Sequence, residues 1–339
     1  LHGSSAASDV YKRQDIDDNI FYMSNARLSV RDSLVDWREL ILGDQSSLIL
    51  DEYHPYEDLP KMINPTSGYI FNTNNSPFNS TAEFENLKEE DYNSTFSFME
   101  EENNRSVRFM ELIDDYEKLS YEDFKEIKYD QQYPDSILYI GNISQIFDLD
   151  KSEFPNYENL IDLIQKWDRR GDIENIGAAQ WSLYYSYMLD VLSENDLSVK
   201  DTIDIKFHLD ALEKTKDRLM KNFGKLDIRL GDIQRLVRGD KSFPVSGLID
   251  MIAPTYSVPM EGGKVRAVSG ESYIMLIKYS EDGPEVETVL PYGNSSNPSS
   301  PHYTDQMKMY TEKKLKKMSL DKDEILSQAV RIYLSLIHI

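Results

Sequence analysis

The chain has no cysteine among its 339 residues, which excludes disulfides, thiolate zinc centres and a cysteine nucleophile together. Histidine is nearly as scarce. The five are His2, His54, His208, His302 and His338, and no two of the interior three have metal-ligand spacing. Positive charge is thin as well: 37 Lys and Arg stand against 60 Asp and Glu, and the net charge of -23 makes nucleic acid and anionic membrane surfaces poor partners. No run of about eighteen apolar residues occurs, so no membrane-spanning helix is expected. The self-sufficient motifs GxxxxGK(S/T), GxGxxG, GxSxG and HExxH are absent. What is present is a globular composition, 40% hydrophobic and 11% aromatic, long enough for one large domain or two ordinary ones.

Both ends read differently from the middle. "LHGSSAASDVYKRQ" (1–14) and the apolar "SLIHI" (335–339) resemble translated cloning or adapter sequence, and they are set aside as a non-native leader and tail. The first residues carry no apolar signal-peptide core, and the first residue is Leu1 rather than methionine. The expectation is an internal fragment of a longer protein.

Between the ends, "NIFYM" and "SSLIL" predict strands, and a further strand is expected over 68–71. Residues 79–104 are polar and acidic and read as loop. Residues 106–223 are mainly helical in pattern. Val107, Met110 and Ile113 share a face, Ser120 with Asp123 makes a capping signature for "YEDFKEIKYD", and longer helices follow over 157–193, interrupted near "RRGD", and 199–223. Residues 231–303 are strand-rich, including 272–279 and 285–290, before a last helix from Thr304. Strands, helices, strands and helix in that order make an α+β class.

Sixty acids guarantee neighbouring carboxylates, so pairs such as Asp114 and Asp115 carry no glycosidase signal; that chemistry needs two acids converging about 5–10 Å apart. The run "KKLKK" (313–317) is expected late in a helix, where cations meet the negative end of the dipole. One stretch stands apart. "NPTSGYIFNTNNSPF" (64–78) surrounds a tiny apolar run with asparagines, prolines and Gly68. Asparagine N–H groups can serve as oxyanion donors when a rigid backbone places them, and Gly68 and Pro77 would control that backbone. An asparagine-rich turn of no catalytic use is the other reading of the same residues.

The stretch resembles the motif NPxxGYIxNxNNxP of the penicillin acylase family, serine-type N-terminal-nucleophile amidohydrolases acting on penicillin, aculeacin and acyl-homoserine-lactone amides. "NNRSVRFMELIDDYEKLSYEDFKEIKYDQQYP", "WDRRGDIENIGAA", "GDIQRLVRGDKSFPVSG", "SGESYIMLIKY" and "YGNSSNPSSPHYTDQMKMY" are similar to later family segments in the same order, so the resemblance covers nearly all of 15–334. It implies an αββα sandwich with an inserted helical region, of which this chain is the C-terminal part of the β chain. It implies that Asn74 is the side-chain oxyanion donor and that Arg108, before Phe109 and Met110, orients the site, with Arg105 a competitor for that role. Ser300, His302 and Asp305 fall in a segment with no catalytic role in the family. The family binds a structural calcium, and Glu85 falls where one ligand would; no cofactor is implied for catalysis.

The family's nucleophile is a serine whose own α-amino group is the base, and it lies upstream of the segment matched by "DDNIFY". Internal serines such as Ser76 have no free amine. The resemblance therefore implies a chain inactive alone, whose partners are the α chain and the first part of the β chain of the same precursor, with a small N-acyl amide as substrate. "YDQQYPDS" and "WDRRGD" resemble the acyl-homoserine-lactone and aculeacin branch, and a bacterial periplasmic or secreted location is implied. The alternative is an exported binding or scaffold protein that kept the fold without the nucleophile.

Overall fold

The computed structural model describes residues 9–15, 17–25, 28–37, 39–96 and 102–332. Residues 1–8 of the leader and the 335–339 tail lie outside them. The chain divides into two compact units, Leu1–Val107 and Arg108–Ile339.

In the first unit, β1 (Asp9–Gln14), β2 (Ile20–Asn25) and β3 (Lys61–Ile63) form one antiparallel sheet in the order β1-β2-β3. Part of the segment set aside as leader thus pairs along its length, Gln14 with Ile20 through Asp9 with Asn25. "NIFYM" is the central strand, as its aromatic and β-branched content predicts. Tyr22, Met23, Leu59, Met62, Phe71 and Phe96 are buried in this unit.

Two predicted strands are absent. "SSLIL" instead makes a single 3-10 turn, Ser46–Leu48. Residues 68–71 form no strand: Gly68 N–H closes a turn onto the Pro65 carbonyl, Phe71 N–H donates to the Ser80 carbonyl, and Thr81 Oγ1 donates to the Tyr69 carbonyl. Turn and side-chain partners satisfy the backbone that a sheet would otherwise have to satisfy.

The chain passes into the second unit along α1 (Asn104–Ile113). α2 (Tyr121–Lys128) starts at the predicted capping box: Ser120 accepts from Asp123 N–H and Asp123 accepts from Ser120 N–H. Then come α3 (Glu158–Gln165), α4 (Ala178–Glu194) and α5 (Ile205–Phe223). Helix α5 begins at Asp204, which accepts from Lys206 N–H, and ends on Gly224 at φ 72°, whose N–H closes onto Met220. Its buried residues His208, Ala211, Leu212, Thr215 and Leu219 recur at helical spacing. Of these, Ala211, Leu212 and Leu219 pack with Leu160, Ile164, Trp181, Tyr184 and Met188 in the largest core cluster, where each buried large aliphatic contributes about 1.5–3 kcal/mol.

A short helix α6 (Leu230–Ile233) leads to a sheet of β4 (Gln234–Arg238), β5 (Lys241–Pro244), β6 (Thr255–Pro259) and β7 (Val265–Gly270) in the order β5-β4-β7-β6. β4 and β7 run parallel and the other pairs antiparallel. The predicted strands at 272–279 and 285–290 are β8 (Ile274–Ser280) and β9 (Gly283–Val289), paired as a hairpin. The last predicted helix is only α7 (Met307–Thr311). "KKLKK" is not in it: Lys313 takes the left-handed φ of 56°, and Lys316–Met318 forms β10 on the edge of β9. Cation placement on a helix dipole is therefore not its role. α8 (Lys322–Gln328) closes the described chain.

Candidate active site

The loop that follows β3 is held by its own polar side chains. Asn64, at φ 47°, accepts from Ile20 N–H at 2.8 Å and donates to Asn19 Oδ1 at 2.8 Å, which fastens the loop entrance to β2. Gly68 sits at φ 77°, a conformation open to glycine at little cost. The carboxylate of Glu85 accepts from Thr66 and Ser67 backbone N–H groups and from Thr66 Oγ1. Burial disfavours its charge, and these donors outweigh that, so its pKa is lowered.

The centre of the loop is a pair of interlocked asparagine turns. Asn74 N–H donates to Asn72 Oδ1 at 3.2 Å, while Thr73 N–H donates to Asn75 Oδ1 at 2.7 Å. Asn75 is buried and its amide nitrogen donates to the Asn79 carbonyl. Between them Asn74 is forced to φ 67°, the left-handed region that asparagine tolerates better than other side-chain-bearing residues, and its side chain is exposed.

Asn103 ties this turn to α1. Its Nδ2 donates to the Thr73 carbonyl at 2.9 Å, and its Oδ1 accepts from Ser106 N–H at 2.9 Å as the helix cap. The cap places Arg105, two residues on, against the turn: Arg105 Nη1 donates to Asn74 Oδ1 at 3.0 Å. A guanidinium only donates, so the atom it meets must be the amide oxygen. The NH2 of Asn74 is then turned away from Arg105 with no protein acceptor among the described residues. Asn74 presents an oriented donor.

The structure brings Arg105, rather than the expected Arg108, to Asn74. Arg108 is committed elsewhere: Nε and Nη2 grip both oxygens of Asp130 at 3.1 and 3.2 Å, and Nη1 meets Glu111 at 3.0 Å. Burial opposes its charge, and the two carboxylates outweigh that, raising its pKa. With 17% side-chain exposure against 11% for Asp130, this fork is a structural clamp. Asn103 went unnoticed in the sequence, although its spacing to Ser106 is a capping signal.

The remaining candidates do not assemble into catalytic groups. His302 Nδ1 pairs with Asp305 at 2.8 Å, but Ser300 Oγ accepts from His302 backbone N–H rather than from the ring. That is a surface turn, packed so closely that a Cβ on Gly293 would lie 2.2 Å from the His302 carbonyl oxygen. For the implied calcium, both oxygens of Glu85 already serve the 66–67 turn, and no group of three or more His, Asp or Glu suited to a metal occurs among the described residues. The residues present do not fit a calcium centre. No helix among the described residues is long and apolar enough to cross a membrane.

The family model described as Penicillin amidase matches residues 14–327, and the chain belongs to that family of amidohydrolases. Among curated relatives, it is 26% identical over 168 residues to the acyl-homoserine lactone acylase PvdQ of Pseudomonas syringae pv. tomato, covering 44% of this chain and 22% of that protein. It is 37% identical over 83 residues to PvdQ of Pseudomonas fluorescens, covering 24% and 11%. It is 29% identical over 94 residues to aculeacin-A acylase of Actinoplanes utahensis, covering 25% and 11%. Among solved structures, a thermostable penicillin G acylase from Alcaligenes faecalis matches with a TM-score of 0.54 at 15% identity, covering 96% of this chain and 67% of that one. The mixed helix and sheet architecture is therefore that of an N-terminal-nucleophile hydrolase. The chain spans well under two thirds of the length of the curated relatives it matches.

Proposed function

We propose that this chain forms part of a linear-amide hydrolase and supplies one half of its oxyanion hole. The carrying observation is the oriented amide of Asn74, exposed, fixed at φ 67° and pinned through its oxygen by Arg105. In this reading a serine outside these residues, using its own α-amino group as base, attacks the amide carbonyl. Asn74 Nδ2 donates to the oxygen of the tetrahedral intermediate, a contribution of about 3 kcal/mol for one such donor. Arg105 takes the positioning role that the sequence assigned to Arg108. Because its charge holds the amide oxygen, the donor pays little reorganisation when negative charge develops.

Substrates are N-acyl compounds whose linear amide joins an acyl chain to an amine-bearing core, of the acyl-homoserine-lactone, lipopeptide or penicillin type. The names of the relatives favour the first two. The rest of the precursor is the partner, and this chain alone does not turn over substrate. Exposed Leu34, Leu40, Leu42, Ile49 and Ile63 in the first unit support a partner polypeptide, since they are apolar surface of the kind another chain covers. The relatives are bacterial acylases, and an exported location follows the same reading. The test is to express the parent gene and measure intact mass and release of free amine from N-acyl substrates. Two chains with turnover support the hydrolase, and one uncleaved chain without turnover supports a non-catalytic scaffold.

A further inference from the structure

The second unit contains a cavity of about 320 Å³ that takes no residue from the asparagine loop. Trp181, Tyr185 and Tyr187 of α4, Arg218 of α5, and Tyr256 and Val258 of β6 line it. The size is at the lower end of small-molecule sites. Its aromatic wall continues a stack inside the core: Trp167 lies on Trp181 with ring centres 5.6 Å apart, and Trp181 on Tyr185 at 5.5 Å, both within 23° of parallel. At the mouth, Leu189, Ile249 and Tyr256 stay 40 to 51% exposed, so apolar surface faces water around the opening.

The polar end is cationic. Arg218 Nε donates to the Gly263 carbonyl at 2.9 Å, Nη2 to the Lys264 carbonyl at 2.8 Å, and Nη1 to Tyr187 Oη at 3.3 Å. These bonds fix the plane of the guanidinium, yet they use only three of the five N–H donors the group carries. None of the acceptors is a carboxylate. The other charged side chain of the lining, Asp190, is exposed. A rigid guanidinium fork with no carboxylate among its hydrogen-bond acceptors, beside stacked aromatic rings, suits a planar anion with an apolar tail.

We propose that this cavity binds a monocarboxylate with an aromatic tail, its ring against the Tyr185 and Tyr256 walls and its carboxylate on Arg218. The site does not depend on the amide-hydrolase reading. Isothermal titration of the full chain with phenylbutyrate, and with phenylbutanol as its uncharged counterpart, tests it. Saturable binding of the acid, at least tenfold weaker binding of the alcohol, and loss of acid binding in Ser182→Phe, which puts a ring into the cavity, are expected. Equal affinities for acid and alcohol, acid binding undiminished in Ser182→Phe, or no saturable heat at millimolar acid would each overturn the proposal. The comparison of acid with alcohol uses the unaltered protein and stands even where the variant fails to fold.

Discussion

His208 offers a pH-dependent stability that can be worked from its surroundings. It is fully buried on the inner face of α5, with Nδ1 2.5 Å from the hydroxyl of Tyr184 and Nε2 without a partner among the described residues. Burial raises the Tyr184 pKa well above its usual value, so the hydroxyl stays protonated. Burial disfavours the charged imidazolium and pushes its pKa from 6.5 down to about 4. Because the unfolded chain binds the proton more readily, this residue leaves stability intact above pH 6.5 and erodes it as pH falls towards 4. The shift of about 2.5 units at 1.36 kcal/mol each gives a total of about 3 kcal/mol, of which about 2 kcal/mol falls between pH 7 and pH 5. His208→Gln keeps an acceptor for Tyr184 and cannot titrate. Urea unfolding at both pH values should show the wild type losing about 2 kcal/mol more than the variant on acidification. Equal losses in the two proteins, or an imidazole titrating near 6.5 by NMR, would refute the reasoning.

Four further substitutions test separate parts of the structure by thermal or urea unfolding. Gly293→Ala forces a Cβ to within 2.2 Å of the His302 carbonyl oxygen and 2.5 Å of Asp305, and should destabilise by about 1–3 kcal/mol. Ser120→Ala removes the cap of α2 and should lower stability by about 1 kcal/mol. Arg108→Gln strands the carboxylate of Asp130, whose side chain is 11% exposed, and should cost about 2 kcal/mol or more. Arg105→Gln loses a bond at an exposed site and should cost about 1 kcal/mol or less. An Arg105 variant as unstable as the Arg108 variant would mean the two roles have been exchanged.

Local signals were the legible part of this fold. The Ser120 box, the helical pattern over 199–223 and the strand-like run at 272–279 each depend on near neighbours, and each produced its element. Expectations failed where longer-range partners decide. Residues 68–71 have the apolar run of a strand, yet Thr81, Ser80 and Pro65 take up their backbone groups. Lys316 and Lys317 look like a helix end but pair with Thr288 and Glu287 on the edge of β9. At the site, the asparagine-rich turn itself was readable from the 64–78 stretch. The choice between Arg105 and Arg108 was not, because one helical turn of sequence cannot show that Asp130, twenty-two residues beyond Arg108, claims it.

Two variants in the full-length parent separate the side-chain amide of Asn74 from backbone strain. Asn74→Ala removes the donor and also places a Cβ-bearing residue without a compensating side chain at φ 67°, a strain of about 1–2 kcal/mol. Asn74→Gly removes the donor and relaxes the backbone. If the amide stabilises the oxyanion, both variants should mature into two chains and both should lose about 100- to 1,000-fold in kcat on an N-acyl substrate. If Asn74→Gly matures and retains near-wild-type kcat, the asparagine is a turn residue and the account of the site is wrong.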